Sequence, residues 1–328
     1  MTTTAQASRA LAGKVAIITG AGQPVSIGRS HALAFAAAGA KVLVNDNGSA
    51  PQGTGSNAGL AQFVAEEIRR SGGEAAANAD SVATIEGAER IVAAALDVFG
   101  RVDILVNNAG NQRMNRIFEA TEEDFDALIG VHLKGTFNMV RQVAPYLMKQ
   151  RSGVIINTAS TAGLGMYGNS IYAAAKEGIV GFTRSIARDL GPYNIRCNAI
   201  RPGAVSRMRA DPKAAEMARE AEEKYGFPGA WNQWLAKNMI NSVKDAPAAD
   251  LDPRHVANFV AWLSTDAAHN VNGHTFRVAG GEIGLMSDPE ISRSIFQAQG
   301  WSINALSQPE VRSYLVGSLV NRFRGERP

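Results

Sequence analysis

Residues 15–46 read VAIITGAGQPVSIGRSHALAFAAAGAKVLVND and decide the fold of this chain. An apolar run, Val15 to Thr19, leads into a glycine-rich turn and then an alanine-rich segment that ends at Gly39. A second apolar run follows at Lys41 to Asn45. Continuous apolar runs of this length are typical of parallel strands that are buried on both faces. The stretch therefore predicts a strand–helix–strand unit.

The same alternation of strand and helix patterns continues along the chain. Further strands are predicted at residues 74–79, 104–106, 154–158, 195–200 and 275–278. Helices are predicted at residues 60–71 and 84–99, after Thr121, where Asp124 completes a capping box, and after the cap pair Asp252–Pro253. Repeated strand–helix units predict an α/β fold: a Rossmann doubly wound parallel sheet with helices on both faces.

The 328 residues are enough for one large α/β domain. We predict a leader at residues 1–12 without the apolar segment of a signal peptide. The Rossmann domain follows at residues 13–284, and residues 285–328 form a helical C-terminal extension. The extension carries two helix-start signals, Asp288–Pro289 and Ser307–Glu310. We expect it to pack on the domain or on a neighbouring subunit.

Two segments of the predicted domain differ in composition from the rest. Residues 47–57 are rich in Gly, Ser and Asn, which predicts a flexible surface loop. Residues 207–250 are charged and helical and follow a strand end, as a mobile lid would. Trp231 and Trp234 in this insert either line an apolar substrate pocket or only pack against their neighbours.

The composition is 45% hydrophobic and 19% charged, which is ordinary for a globular protein. The net charge of +3 comes from Lys and Arg residues spread along the chain, so it favours an anionic ligand and argues against a nucleic-acid partner. The single cysteine, Cys197, is predicted to be a core residue of a cytoplasmic protein. No membrane span is predicted, since no stretch reaches about 18 apolar residues. No metal site is predicted either.

The glycine-rich turn between the first strand and the first helix predicts a dinucleotide site. Gly20, Gly22 and Gly28 let the backbone approach a pyrophosphate, and the helix N-terminus attracts its negative charge. Asp46 directly follows the second strand, where its carboxylate would accept hydrogen bonds from the adenosine ribose. The same carboxylate would repel a 2′-phosphate, so the sequence favours NAD over NADP.

Polar or small residues follow most of the predicted strands. In a parallel sheet with helices on both faces, ligands bind beyond the carboxyl ends of the strands. We therefore expect one site that contains Gly20, Asp46, Asp80, Asn107, Ser160 and Pro202.

The stretch STAGLGMYGNSIYAAAK, Ser160 to Lys176, carries a candidate acid/base pair. Tyr172 and Lys176 are four residues apart in a helical pattern and so lie on one face. The ammonium group is expected to lower the pKa of the phenol, which could then exchange a proton with an alcohol or carbonyl oxygen that Ser160 holds. The alternative is a half-buried ring beside a solvated amine.

Together these motifs resemble the short-chain dehydrogenase/reductase family over residues 13–284. The shared motifs are TGAG…IG, Asp80, NNAG at residues 107–110, Ser160, YAAAK at residues 172–176, and Pro202–Gly203. The motifs VNDNG, NADSV, VHLKGTF and SRM also resemble one subgroup. That subgroup includes the (3R)-hydroxyacyl-CoA and 17β-hydroxysteroid dehydrogenase unit of peroxisomal multifunctional enzyme type 2.

The resemblance implies hydride transfer between NAD and a secondary alcohol or ketone of a lipophilic substrate. The implied catalytic residues are Ser160, Tyr172, Lys176 and His132. The implied cofactor-binding residues are Gly20, Gly22, Ser26, Ile27, Gly28, Asp46, Asp80, Ser81, Asn107, Ala109, Gly110, Tyr172, Lys176, Pro202, Gly203, Val205 and Ser206. His132 stands where most members have Asn, and its role, proton relay or structural, stays open.

The substrate and the class of protein also leave alternatives. A hydroxyacyl-CoA would need cations near its phosphates, for which Arg113, Arg116, Arg207 and Arg209 are candidates, whereas a hydroxysteroid would favour the tryptophan-bearing lid. A non-catalytic NAD-binding protein with the same fold is the alternative to an enzyme. Family members are commonly homotetramers or homodimers, so an oligomer is expected.

Overall fold

The computed structural model describes residues 9–205, 213, 216, 217, 219, 220, 223 and 251–319. Within them, eight strands form one sheet: β1 (Val15–Thr19), β2 (Lys41–Asn45), β3 (Ala75–Asn78), β4 (Ile104–Asn107), β5 (Gly153–Thr158), β6 (Ile195–Gly203), β7 (Thr275–Ala279) and β8 (Glu282–Leu285). The strands lie in the order β3-β2-β1-β4-β5-β6-β7-β8. All neighbours run parallel except β7 and β8.

Helices connect the strands. They are α1 (Ile27–Ala37), α2 (Gly59–Arg70), α3 (Ile85–Phe99), α4 (Glu122–Ile129), α5 (Gly135–Gln150), α6 (Ser170–Leu190), α7 (Pro253–Leu263), α8 (Ile303–Leu306) and α9 (Pro309–Val316). A π-helical turn, Gly130–Lys134, joins α4 to α5. Both hydrogen bonds of the predicted capping box between Thr121 and Asp124 are present at the start of α4. Asp252 caps α7, as predicted.

The sheet is buried on both faces, because successive residues of a strand point to opposite sides. Ile18 packs in a core with residues of α1, α2 and α7. Ile17, its neighbour, packs in a second core with residues of α3, α5 and α6. The predicted doubly wound fold with helices on both faces is therefore confirmed.

A chain of buried polar side chains crosses the second core. The Nδ2 atom of Asn107 on β4 donates to Oδ1 of Asn157 on β5 at 2.9 Å. Nδ2 of Asn157 donates in turn to Oγ1 of Thr183 on α6 at 3.0 Å and to the sulfur of Cys197 on β6 at 3.5 Å. Cys197 is buried, as predicted. The chain of hydrogen bonds ties three strands and a helix together at the level of the sheet.

Two features of the C-terminal part differ from the prediction. Strand β8, which pairs antiparallel with β7, was not expected. The predicted helix start at Asp288–Pro289 is wrong, since the structure has no helix between β8 and Ile303. The carboxylate of Asp288 lies 3.3 Å from Arg184 on α6 instead of capping a helix. The second predicted start is confirmed, because α9 begins at Pro309.

The loop from Asp46 to α2 lies at the surface, as predicted, but it is held by hydrogen bonds that a flexible linker would lack. The backbone N–H of Asn57 donates to the carbonyl oxygen of Asn47 at 2.9 Å, and that of Ala50 to Thr54 at 2.8 Å. The predicted lid, with Trp231 and Trp234, lies outside the described residues apart from the single positions named above. Of the helices that the structure describes, none combines the length and apolar character needed to cross a membrane.

Candidate active site

A cavity of about 890 Å³ opens at the carboxyl ends of the parallel strands. It lies where the strand order reverses, with β1 and β4 at its centre. Five of the six residues that the sequence places at strand ends line it: Gly20, Asp46, Asp80, Ser160 and Pro202. The structure thus brings residues that are up to 182 positions apart in the chain into one site.

The glycine-rich turn after β1 forms one wall of this cavity. A Cβ atom on Gly28 would lie 2.1 Å from the carbonyl oxygen of Gly20, and one on Gly20 would lie 2.7 Å from Cα of Ala109. Ser26 caps α1, and its Oγ accepts the N–H of Arg29 at 3.0 Å. Ser26, Ile27 and Gly28 all line the cavity. The N-terminus of α1 therefore faces the cavity, as is required of an anion-binding turn.

Asp46 is buried at the end of β2 with a fixed carboxylate. Its Oδ2 accepts the N–H of Gly22 and its Oδ1 the N–H of Gly48, both at 2.8 Å. Gly22 is not among the residues that line the cavity, so it acts on the site through Asp46. A Cβ atom on Gly22 would also lie 2.8 Å from the backbone of Leu60 and Ala61 at the start of α2.

Asp80 and Ser81 line the cavity next to β3, as predicted. Oδ1 of Asp80 accepts a hydrogen bond from Nε of Arg90 at 2.6 Å, and the backbone N–H of Asp80 donates to Asn78 Oδ1 at 2.9 Å. Oγ of Ser81 accepts the N–H of Ala83 at 3.2 Å. These contacts hold the wall of the cavity on the β3 side.

Asn107 differs from its predicted place. Its side chain points into the core, where it binds Asn157, and it is not among the residues that line the cavity. The lining residue is Asn108, whose Nδ2 donates to the carbonyl oxygens of Thr19 and Gly20 at 3.0 Å. Side chains of successive strand residues point to opposite sides, so the motif NNAG alone did not tell which Asn faces the ligand.

His132 lies in the π-helical turn and is buried against the cavity wall. Its Nε2 is 2.9 Å from the carbonyl oxygen of Asn111, while Nδ1 has no hydrogen-bond partner within the described ranges. Burial and then the charge of Lys176 hold its pKa well below the usual value, so the ring is neutral. A Cβ atom on Gly110 would lie 2.6 Å from the ring, so only glycine lets the histidine approach this closely.

Ser160, Tyr172 and Lys176 come together at the start of α6. Ser160 and Tyr172 both line the cavity, and the Tyr172 ring meets that of His132 edge-on with centroids 5.0 Å apart. Nζ of Lys176 donates to the carbonyl oxygen of Thr158 at 2.6 Å and lies 5.6 Å from the centre of the Tyr172 ring. Ser160 therefore supplies a hydroxyl group at the wall of the cavity.

The net shift of the Tyr172 pKa is upward, opposite to the predicted one, and Lys176 is not among its causes. Burial raises the pKa of the Tyr172 phenol, and the nearby Ser160 side chain opposes that rise. Burial also lowers the pKa of Lys176 to about 7. The ammonium group lies over the ring and bonds to a backbone carbonyl, so its charge does not act directly on the hydroxyl.

Several residues that line the cavity also carry a buried polar atom without a hydrogen-bond partner among the described residues. These atoms are Gln23 Nε2, Asn111 Oδ1, His132 Nδ1, Thr158 Oγ1 and Asn169 Oδ1. A buried polar group without a partner is costly, and such groups are usually satisfied by a ligand or by water. The glycine turn, the volume and the polar lining of the cavity together fit a dinucleotide. Apart from His132, the sequence carried no signal for these buried atoms, because their burial depends on the fold.

Of the remaining predicted residues, two line the cavity. Pro202 and Gly203 line it, whereas Val205 is half exposed and donates its N–H to the carbonyl oxygen of Leu251 at 2.8 Å. Ser206 lies outside the described residues. Arg201, which the sequence did not single out, is buried behind the site. Its guanidinium group donates to the carbonyl oxygen of Ser160 and to the carboxylate of Glu177.

The two candidate cations for CoA phosphates that the structure describes are already paired. Arg113 lies 3.0 Å from the carboxylate of Glu123 and 3.2 Å from that of Asp124. Arg116 pairs with Glu119 and with Glu220. The other two candidates, Arg207 and Arg209, lie outside the described residues.

Comparison with known proteins agrees with the fold. The family model for short chain dehydrogenases matches residues 14–218, which is more than half of the chain. This chain therefore belongs to the short-chain dehydrogenase family of oxidoreductases, whose fold binds a nicotinamide cofactor.

Within the family, the chain is similar to proteins of the predicted subgroup. It is 38% identical over 275 residues to the peroxisomal multifunctional enzyme type 2 of Mus musculus, an alignment that covers 84% of this chain and 32% of the mouse protein. It thus spans about a third of the length of that relative. It is 35% identical over 325 residues to the hydroxyacyl-CoA dehydrogenase ChsB1 of Mycobacterium tuberculosis, covering 94% of this chain and 90% of that protein. The resemblance to the type 2 multifunctional enzyme is confirmed.

A solved structure also superposes on the chain. The NAD⁺-bound form of a xylitol dehydrogenase matches with a TM-score of 0.69 and 27% sequence identity. The match covers 83% of this chain and 99% of that one. The eight-stranded sheet and the helices that flank it are therefore those of a known dehydrogenase fold.

Proposed function

We propose that this chain is an NAD-dependent oxidoreductase that transfers a hydride between NAD and a secondary alcohol or ketone of a lipophilic substrate. The observation that carries the proposal is the position of Ser160, Tyr172 and Lys176 together at the wall of the cavity that the glycine turn also lines. The bound nicotinamide would supply the hydride acceptor or donor.

Tyr172 is proposed as the acid/base. In the reduction of a carbonyl group the protonated phenol would give its proton to the carbonyl oxygen. In the oxidation of an alcohol the phenol would first pass its own proton on, and the phenolate would then take the hydroxyl proton. Ser160 would hold the same substrate oxygen by a second hydrogen bond. Lys176 is held by Thr158 at the back of the site, from where it would bind the nicotinamide ribose.

His132 is proposed either to relay protons or to hold the site together. The ring is neutral and lies beside Tyr172, and its Nδ1 has no partner among the described residues. Nδ1 could therefore accept a hydrogen bond and take part in a proton relay. Its Nε2 fixes the segment at Asn111, which supports a structural role as well. The two roles do not exclude each other.

Asp46 supports NAD as the cofactor. Its carboxylate lines the cavity and is fixed by two backbone N–H groups, so it would accept hydrogen bonds from a ribose and repel a 2′-phosphate. The glycine turn and the N-terminus of α1 would take the pyrophosphate. Asp80 and Ser81 would contact the adenine.

A 3-hydroxyacyl-CoA or a hydroxysteroid is the proposed substrate class. Met114 and Met166 line the cavity, and flexible thioether side chains suit an apolar chain or ring system. The name of the mycobacterial relative favours a hydroxyacyl-CoA. Since Arg113 and Arg116 are paired, CoA phosphates would have to find their cations elsewhere.

The test is NADH production by the purified chain with a panel of 3-hydroxyacyl-CoAs and hydroxysteroids. We expect turnover with one of these classes and a loss of about 10²–10⁴-fold in Tyr172→Phe with NADH binding unchanged. A Tyr172→Phe variant that keeps most of the activity would contradict the role of Tyr172. NADH binding by the wild type without turnover across the panel would favour the non-catalytic alternative.

The organisation of the chain and its location also remain proposals. We propose that residues 13–284 form the dehydrogenase domain, with a lid at residues 207–250 and an extension at residues 285–328. A cytoplasmic location is proposed, although the mouse relative bears the name of a peroxisomal enzyme. Fluorescence microscopy of the tagged chain in its own cell would decide the location.

A further inference from the structure

The loop between β2 and α2 is folded on itself and forms part of the cavity wall. Its two ends are joined where Gly48 packs against Asn57, since a Cβ atom on Gly48 would lie 2.1 Å from the Asn57 carbonyl oxygen. Its tip is a turn in which the N–H of Gly53 donates to the carbonyl oxygen of Ala50 at 2.9 Å. Gly53 lines the cavity, together with Asn47 and Ser49 of the same loop.

The tip of this loop is attached to the segment that follows β4. The N–H of Gln112 donates to the carbonyl oxygen of Pro51 at 2.8 Å. Nε of Arg113 donates to the carbonyl oxygen of Gln52 at 2.9 Å. Gly53 lies against the side chain of Asn111, where a Cβ atom would come within 2.6 Å of Nδ2.

Arg113 is well placed to act as a latch for the loop. Its side chain is only 14% exposed, and its Nη1 binds the carboxylates of Glu123 and Asp124 at the start of α4. Asp124 is itself held by the capping box. The guanidinium group thus joins the tip of the loop to a fixed helix end.

The loop crosses the site because of the strand order. It starts from β2 and is attached beyond β4, and β1 lies between these two strands. A dinucleotide bound at the reversal of strand order would run beneath this crossing. We infer that residues 47–57 form a strap that retains the adenosine half of the cofactor, with Arg113 as the positioning residue that keeps the strap closed.

The inference rests on the proposed NAD binding, but it concerns release and not chemistry. A strap attached on both sides of the site must open before the adenosine half can leave. Loss of the Arg113 hydrogen bond should make opening easier and so raise the dissociation rate of NADH. Affinity differences between closely related complexes arise mostly from differences in the dissociation rate.

The experiment measures NADH dissociation by stopped-flow fluorescence for two pairs of variants. Arg113→Ala is paired with Arg101→Ala, which removes a two-point ion pair with Asp103 elsewhere in the fold. Gly53→Ala is paired with Gly55→Ala. Both glycines have positive φ, 86° and 72°, but only a Cβ on Gly53 would meet another residue within 4 Å. Thermal unfolding of each variant reports its folding.

We expect Arg113→Ala and Gly53→Ala to release NADH about two- to tenfold faster than the wild type, the factor for one hydrogen bond. Arg101→Ala and Gly55→Ala should release it at the wild-type rate.

Equal rates in all folded variants, or an equal rise in the controls, would overturn the strap. A folded Arg113→Ala variant with the wild-type rate would overturn the latch. No NADH binding by the wild type would instead remove the proposed function.

Discussion

Asp46 has both carboxylate oxygens occupied by backbone N–H groups at 2.8 Å, and this decides what its removal should do. In Asp46→Ala the negative charge is lost, and the N–H groups of Gly22 and Gly48 become available to an anion. A 2′-phosphate carries negative charge and strong acceptor oxygens, so NADP binding should improve while NAD binding weakens.

We therefore expect the ratio of the NAD and NADP dissociation constants to move by about tenfold or more towards NADP in Asp46→Ala, which corresponds to about 1.4 kcal/mol. Titration of the purified variant with both cofactors measures this ratio. An unchanged ratio would show that Asp46 does not select the cofactor.

His31 on α1 is fully buried, and neither of its ring nitrogens has a hydrogen-bond partner in the part of the chain that the structure describes. Burial lowers its pKa to about 3 from the ordinary 6.5. The unfolded chain therefore binds a proton below pH 6.5 that the folded chain does not, and stability must fall as the pH falls through this range. The slope for one such group is about 1.4 kcal/mol per pH unit.

We expect His31→Leu to lose that part of the pH dependence. Urea unfolding at pH 4.5, 5.5 and 7.5 should show a shallower fall in the free energy of unfolding than in the wild type. Some fall should remain, because burial also lowers the pKa of His132. Parallel curves for the two proteins would mean that His31 is not the acid-sensitive group.

At the scale of secondary structure elements, the hydrogen bonds among Asn107, Asn157 and Thr183 connect β4, β5 and α6. Removing the Asn107 amide would leave Oδ1 of Asn157 buried without a partner, at a cost of about 1–3 kcal/mol. Asn107→Ala should therefore lower the free energy of unfolding by about that amount.

The same variant separates a structural role from a ligand-binding one. The NADH dissociation constant of folded Asn107→Ala should stay within about twofold of the wild-type value. The loss of one hydrogen bond to NADH would change it by more than that. Weaker NADH binding with unchanged stability would restore the original assignment of Asn107 to the cofactor site.

At the scale of the whole molecule, the segment after β8 leaves large apolar side chains in water. Ile291, Phe296 and Ile303 are 85%, 89% and 83% exposed. Exposed apolar groups in this number favour association, so we expect a homodimer or homotetramer in solution. Light scattering coupled to size-exclusion chromatography measures the mass, and a monomer at micromolar concentration would contradict the expectation.

The sequence predicted those parts of the molecule whose signals are local. The apolar runs of β1, β2 and β5, and the caps Thr121 and Asp252, needed no knowledge of distant residues. Strand β8 was missed because its residues alternate between exposed and half-buried and form no apolar run.

The site was predictable only where a motif implied its own geometry. The glycine turn and Tyr172 belong to this kind, and both line the cavity. The choice between Asn107 and Asn108, the burial of Asn169 and the raised pKa of Tyr172 depend on contacts between distant segments. No pattern along the chain records such contacts.

The π-helical turn that holds His132 limits which deletions the gene can tolerate. A π turn holds one residue more than the α-helix needs, and each residue rotates a helix by about 100°. Deleting one residue from Gly130–Lys134 would restore regular winding but swing α5 round against α4. Either the histidine or the apolar face of α5 would then point the wrong way. In this part of the gene we therefore expect the number of codons to be constrained as strictly as the residues that they encode.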